Sequence, residues 1–277
     1  MYYILYNPSS NDGKTIKKIN KLYNDLQLLD ECYKQNLLEI VGKEVIFLDS
    51  LENDDVVYLC GGDGTLNRFL NAIGDKEFKC KLLFYSCGSG NDFKRDFKND
   101  KFIDLDPIRR YISKCYINGD EKALFVNGIG IGLDAVVCRS KNQLSVTGAK
   151  KSYFNITLSS FKKFRPYSLD LVIDGEKKHY DNVWTMICSN GKYMGGGMKV
   201  CPDAIRNDGI FELVIIHSLP KWLMIILFPL IYLGLHRIVK GVEYIKCKSL
   251  KAIPDGCTVL QMDGETLDYA REIVVEA

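Results

Sequence analysis

Gly61-Gly62-Asp63-Gly64-Thr65 is the stretch from which this chain is best read. Before it lies Val56-Val57-Tyr58-Leu59-Cys60, a short apolar run that reads as a buried strand. After it, Leu66, Phe69, Leu70 and Ile73 recur at i, i+3, i+4 and i+7, one face of an amphipathic helix. Three glycines and one carboxylate therefore sit where a strand stops and a helix begins. Glycines there let backbone N–H groups approach a ligand closely, and a helix start favours anions. A lone carboxylate is poorly suited to bare phosphate; it fits if a metal ion or a catalytic network accompanies the phosphate.

Working outward, Tyr2–Tyr6 reads as a strand, followed by the polar turn Asn7-Pro8-Ser9-Ser10-Asn11-Asp12-Gly13-Lys14. A helix with Ile16, Ile19, Tyr23 and Leu26 on one face comes next. Val45–Leu48, Val56–Cys60 and Leu82–Tyr85 read as further strands. This alternation predicts a mostly parallel sheet covered by helices, with ligands at the carboxyl ends of its strands. Three polar, glycine-bearing loops fall there: 7–14, 61–65 and 87–92. Cys87-Gly88-Ser89-Gly90-Asn91-Asp92-Phe93 repeats the pattern of glycines around a carboxylate. If both loops share one rim, Asp63 and Asp92 lie near each other, and two close carboxylates call for a cation or proton between them.

From about residue 120 strand-like runs dominate: Ala123–Val126, Leu169–Ile173, Val183–Cys188, Phe211–Ile216, Thr258–Met262 and Ile273–Val275. The expectation is an α/β nucleotide-binding domain over 1–118 and a β-rich, sandwich-like domain over 119–277, all-β or nearly so, with the site in the cleft between. The boundary, near 113–122, is soft. One segment is unlike the rest. Trp222–Leu235 is almost wholly apolar, broken by Pro229, and at 14 residues is too short to span a bilayer. It reads either as a buried helix or, with Lys221, Arg237 and Lys240 at its ends, as an element that touches a membrane or lines a lipid groove.

Composition narrows the classes. With 47% hydrophobic and 26% charged residues the chain is an ordinary globular one. A net charge of +2 gives no basic footprint for nucleic acid. Ten cysteines contain no CxxC pair, which argues against a zinc ribbon, and without a signal-peptide pattern they fit a reducing cytoplasm. Three histidines, His179, His217 and His236, give little support to a Ser-His-Asp hydrolase. Lys14-Thr15 after Gly13 is not a Walker A loop, because Pro8 stands where its first glycine belongs. Asp-Gly-Glu occurs twice, at 174–176 and 263–265. The first copy reads as a hairpin turn.

Taken in order, Gly61–Asn67, Gly88-Ser89-Gly90-Asn91-Asp92-Phe93, Asn127-Gly128-Ile129-Gly130-Ile131-Gly132-Leu133-Asp134-Ala135, Gly195–Met198 with Pro202–Gly209, and Met262-Asp263-Gly264-Glu265 resemble the soluble diacylglycerol kinase-type lipid kinases, a superfamily that includes sphingosine and ceramide kinases. Asn7-Pro8-Ser9-Ser10 resembles the first nucleotide loop of that family. The resemblance implies that Asn7, Ser9, Gly61, Gly62, Asp63, Gly64, Thr65 and Asn67 line an ATP site. Asp263 would be the base facing a lipid hydroxyl, and Glu265 would contact the nucleotide side. Asp208, with the carbonyls of Ile205 and Ile210, would hold a structural Mg²⁺. Asp63 and Asp92 would belong to the network around a catalytic Mg²⁺. Phosphoryl transfer needs positioning and charge neutralisation more than covalent chemistry, and hard oxygen ligands suit Mg²⁺.

Two departures stand out. The region from Asp49 to Asp55 is short where the family places a helix, and a further family aspartate has no clear counterpart, with Ser113 near its position and Asp104 and Asp106 as alternatives. The expected function is ATP-dependent phosphoryl transfer to a lipid alcohol, with diacylglycerol the leading acceptor, in the cytoplasm or at the inner membrane face. The expected contacts are ATP, lipid and the membrane surface but no nucleic acid; a homodimer is left open. The rivals are an NAD kinase-like or phosphofructokinase-like small-molecule kinase and a non-catalytic lipid- or nucleotide-binding regulator.

Overall fold

The computed structural model describes residues 1–8, 14–88, 91–146 and 153–277. The chain forms two units, Met1–Tyr111 and Ile112–Ala277.

The first unit contains β1 (Tyr2–Tyr6), α1 (Lys14–Gln27), β2 (Cys32–Asn36), α2 (Glu44–Asp49), β3 (Val56–Gly61), α3 (Asp63–Ile73), β4 (Lys81–Ser86), α4 (Asp92–Asp96), β5 (Ile103–Asp104) and α5 (Asp106–Arg109). Its sheet runs β2-β1-β3-β4-β5, parallel except for the short antiparallel β5. Ile19, Leu22 and Leu26 of α1 pack with Ile4, Tyr58 and Cys60 on one face. Val57 and Leu59, on the other face of β3, are also buried. A strand covered on both sides reads as a continuous apolar run, which is why β3 is plain in the sequence.

Val45–Leu48 is not a strand. It lies in α2, where Glu44 and Leu48 are buried one turn apart while Ile46 is exposed. A run of four apolar residues satisfies both periodicities. The strand slot is filled by Cys32–Asn36, an edge strand that buries only Cys32 fully and is therefore polar. The helix that looked absent before β3 is α2 itself, six residues long.

The second unit contains β6 (Ser113–Ile117), β7 (Asp120–Phe125), β8 (Gly128–Gly132), α6 (Leu133–Val146), α7 (Tyr153–Lys163), β9 (Tyr167–Ile173), β10 (Glu176–Ser189), β11 (Phe211–His217), α8 (Lys221–Leu233), β12 (Val242–Cys247), β13 (Ser249–Pro254), β14 (Thr258–Met262), β15 (Glu265–Ala270) and β16 (Ile273–Glu276). Among the described residues eleven strands join one antiparallel sheet, ordered β15-β14-β8-β10-β9-β13-β16-β6-β7, with β11 branching from β10 and β12 pairing with β11. β6 pairs with β16, so Ser113–Ile117 belongs to this unit and the division falls before it. Cys115 of β6 and Leu213 of β11 share one apolar core, so the sheet folds back on itself like a sandwich. Along β11, Leu213 and Ile215 enter that core, while Val214 and Ile216 enter a second one with residues of α6, α7 and α8.

The unit is therefore not all-β. Strand-rich flanks hid α6 and α7, although Leu133 and Val137 of α6 are buried one turn apart. In α8 only Met224 and Leu227 are buried, and Trp222, Ile225, Ile226 and Leu233 are exposed. The apolar segment packs one side into the second core and leaves the other exposed; no helix among the described residues is long and apolar enough to cross a membrane.

The glycines of β8 make room rather than flexibility. A Cβ on Gly130 would stand 2.0 Å from Oδ2 of Asp134, which folds back over the strand from the first turn of α6. Asp134 Oδ1 accepts a hydrogen bond from Thr185 Oγ1 at 2.6 Å. Burial lifts the Asp134 carboxyl from 3.8 to about 7, against the opposing pull of its bonds to Thr185 and the helix start. The native state thus holds a proton that the unfolded chain has already lost. Stability is expected to fall as pH rises from about 4 to about 7 and to level off above. Urea unfolding across that range checks this, and Asp134→Asn is expected to flatten the slope.

Candidate active site

In the first unit β3 ends at Gly61 and α3 begins at Asp63, with Gly62 extended between them (φ −100°, ψ −174°). A Cβ on Gly61 would stand 2.5 Å from that of Thr65, so glycine is what lets the turn close. β4 ends alongside, with Ser86 in register with Gly61. The backbone beyond it meets the first loop directly: Cys87 and Gly88 N–H both donate to the Gly61 carbonyl, at 2.8 and 3.2 Å. A Cβ on Gly88 would stand 2.6 Å from Gly62 Cα. The two glycine loops interlock main chain to main chain.

Asp63 fastens them. Its Oδ2 accepts from Asp92 N–H at 2.8 Å and its Oδ1 from Phe93 N–H at 3.2 Å. These amides open α4, whose N-cap Asn91 sits at φ +52° without a side-chain capping bond. Asn91 Oδ1 instead accepts from Ser86 Oγ at 2.6 Å. A carboxylate at a helix start satisfies donors that have no partner within the helix. Asp92 is buried, 3.9 Å from Arg95 Nε. Asp63 and Asp92, expected near each other, are joined through the Asp63 carboxylate and the Asp92 amide.

Beside the loop lies an open pocket lined by Asn7, Leu38, Glu44, Thr65, Arg68 and Phe69 among others. Asn7 and Thr65, expected to share a nucleotide site, do line one space. Gly64 is exposed and Asn67 half-buried on the first turn of α3. Thr15 Oγ1 reaches the Cys87 carbonyl at 3.2 Å, tying the start of α1 to the third loop. Ser9 falls outside the described residues.

In the second unit Asp263 and Gly264 form the two-residue turn between β14 and β15, with φ +49° and +94°. Asp174 and Gly175 form a turn of the same kind, with φ +48° and +89°. The two Asp-Gly-Glu copies thus share a conformation, and their carboxylates differ in what they meet. Asp174 Oδ1 accepts from Lys248 and Ser249 N–H at the start of β13. Asp263 accepts three amides where β8 begins: Val126 at 2.5 Å, Asn127 at 2.8 Å and Gly128 at 3.0 Å. Charge-assisted bonds of this kind are the stronger class and fix the carboxylate's direction.

That segment is held by a buried polar network the sequence did not reveal. Arg206 donates to Val126 O at 2.6 Å and to Asn127 Oδ1 at 2.7 Å. Asn190 Nδ2 donates to Phe125 O at 2.7 Å, and Ser189 Oγ to Asn127 O at 2.8 Å. Ser113 Oγ donates to Asn190 Oδ1 at 2.6 Å. Ser113, which stands near the position of the unplaced family aspartate, is thus part of this network. Asp104 and Asp106 lie on the first unit, where Asp104 faces Lys81 at 3.9 Å and Asp106 faces Arg109 at 3.6 Å. Glu265 is exposed, paired with Met262 across the turn.

Asp208 is exposed, and its Oδ1 accepts from Ile210 N–H at 3.0 Å. Among the described residues no three His, Cys, Asp or Glu side chains cluster for a metal. One carboxylate with main-chain carbonyls and water is nevertheless a donor set that Mg²⁺ accepts. The residues Asp208, Ile205 and Ile210 therefore fit such an ion in chemistry.

Residues 1–118 match the family described as Diacylglycerol kinase catalytic domain, and residues 127–273 match the YegS C-terminal NAD kinase beta sandwich-like domain. The chain belongs to the diacylglycerol kinase-type lipid kinase family. It is 25% identical over 247 residues to the Bacillus subtilis (strain 168) protein YtlR, covering 83% of this chain and 79% of that one. It is 25% identical over 275 residues to a Mycobacterium tuberculosis diacylglycerol kinase, covering 91% and 87%. A solved diacylglycerol kinase structure from Bacillus anthracis str. Sterne matches with TM-score 0.64 at 17% identity, over 99% of this chain and 93% of that one. At that identity the likeness speaks for the fold alone.

The bracket formed by Asp63 yields a direct expectation. Asp63→Ala leaves two amides of the α4 start without their acceptor. It is expected to lower unfolding free energy by about 2 kcal/mol in urea titrations. Weaker ATP binding by calorimetry is expected to accompany it, as the loops separate.

Proposed function

We propose that this chain transfers the γ-phosphoryl group of ATP to the hydroxyl of a lipid, with diacylglycerol as acceptor and phosphatidate as product. The observation that carries the reading is the interlocked pair of glycine loops at the start of α3, beside an open pocket lined by Asn7 and Thr65, in a chain of this family. Its relatives named diacylglycerol kinase support the choice of acceptor.

On this reading the main-chain N–H groups of Gly62 and Gly64 hold the nucleotide phosphates, aided by the positive end of α3. Asn7 and Asn67 contact the nucleotide. Asp63 is a positioning residue that keeps the two loops in register; Asp92 completes its network. Asp263 receives the hydroxyl proton as the phosphoryl group leaves ADP, its carboxylate aimed by the amides of residues 126–128. Glu265 would contact the nucleotide. Mg²⁺ neutralises phosphate charge when bound. Asp208 with the Ile205 and Ile210 carbonyls would hold a separate structural ion.

Labelled ATP and Mg²⁺ presented with a panel of lipids in mixed micelles tests the reading. Label is expected in lipid; label in NAD or a sugar phosphate instead overturns it. Asp263→Asn is expected to reduce turnover at least about a hundredfold while ATP affinity stays within about twofold. Asn tolerates the left-handed turn, so the hairpin survives. Asp174→Asn is the matched control, altering the same kind of turn and cap, and is expected to keep full turnover. Unchanged turnover in Asp263→Asn removes it from the base role.

A further inference from the structure

The outward face of α8 has a definite pattern. Trp222, Ile225, Ile226, Pro229, Tyr232 and Leu233 are exposed at helical spacing, while Met224 and Leu227 are buried on the opposite side. Trp222 is 63% exposed, Leu233 66% and Ile226 54%. The 3₁₀ turn that follows, Leu235–Ile238, adds Leu235 and Ile238, the latter 79% exposed. These eight apolar side chains on α8 and the turn after it exceed the scattered singles normal for a protein surface.

The charges carried by this segment have one sign. From Leu213 to Val242 the sequence holds no Asp or Glu, but it holds Lys221, Arg237 and Lys240. Arg237 pairs with Asp203 at 2.9 Å. Among the described residues Lys221 and Lys240 have no acidic partner, and both are exposed. Trp222 stands at the junction of the apolar face and Lys221, the position an indole takes between hydrocarbon and water. The 13 residues of α8 reach only about 20 Å, short of the roughly 30 Å hydrocarbon core.

We propose that α8 and the turn after it form a docking face for an anionic phospholipid bilayer and lie flat in its interfacial layer. The apolar stripe enters the acyl boundary, and Lys221 and Lys240 meet the headgroups. A second copy of the chain is the weaker occupant, because a two-fold contact would set the cations of each copy against those of the other. The inference stands apart from the phosphoryl-transfer reading, since it concerns where the chain sits and not what it transfers.

Sedimentation of the full chain with vesicles tests it, using phosphatidylcholine alone and mixed with phosphatidylglycerol. Binding is expected to the mixed vesicles, and to weaken with salt. Trp222→Ser combined with Ile226→Ser, both surface changes, is expected to lower partitioning about tenfold or more with an unchanged melting temperature. Lys221→Gln combined with Lys240→Gln is expected to remove the preference for phosphatidylglycerol. Bromine-labelled acyl chains are expected to quench Trp222 emission, since the other tryptophan, Trp184, is buried. A chain left in the supernatant with both vesicles overturns the proposal. So does equal binding by the Trp222/Ile226 variant, or a dimer in solution that this variant converts to monomer. Docking without label transfer counts against the kinase reading alone, and label transfer to dispersed lipid without docking counts against this one alone.

Discussion

Carboxylates bound to main-chain amides hold both units in the form their motifs require. Asp63 closes on the amides of Asp92 and Phe93, and Asp263 on those of residues 126–128. In each case an aspartate in one loop fixes a glycine-bearing segment far away in sequence. An ionised carboxylate only accepts, and a loop amide outside helix or sheet needs an acceptor. Glycines let the backbones come close; the carboxylates decide where they stop. Replacing either aspartate therefore does two things at once, and a loss of activity alone does not assign a chemical role to it.

Asp174 sharpens that point. It has the conformation of Asp263 and also caps the start of a distant strand. Turn geometry and capping do not mark a catalytic residue. What sets Asp263 apart is the segment it grips, which Arg206, Asn190, Ser189 and Ser113 hold in a buried network. A buried polar group is costly unless bonded, so a network of this size fixes one arrangement of the segment.

Much of the fold was legible where burial is two-sided or strictly periodic. β3, α3, β11 and the Val183–Cys188 half of β10 follow directly from their apolar runs. Cys32–Asn36 was not legible, because an edge strand with one buried side chain carries no pattern. Val45–Leu48 misled because four residues do not separate a period of two from one of 3.6. Gly128–Gly132 carries no strand pattern because its glycines hide a fully buried strand; the Asp134 side chain and the Cys188 and Trp184 carbonyls take the space where side chains would stand. Asp63, Thr65 and Asp92 drew notice through their glycine context, and Asn7 through the resemblance alone. Arg206 was not, since a single arginine in a polar loop gives no sign of being buried.

The contact between Gly62 and Gly88 bears on how this sequence can change. A methyl at 62 meets Gly88 Cα at 3.3 Å, which a small shift relieves, whereas a methyl at 88 meets Gly62 Cα at 2.6 Å, backbone against backbone. The order of substitution is thus constrained. Alanine can enter at 62 first at modest cost, but position 88 has no accessible neighbour in sequence space while the loops stay locked. Among descendants of this chain, variation at 62 would be expected long before any at 88.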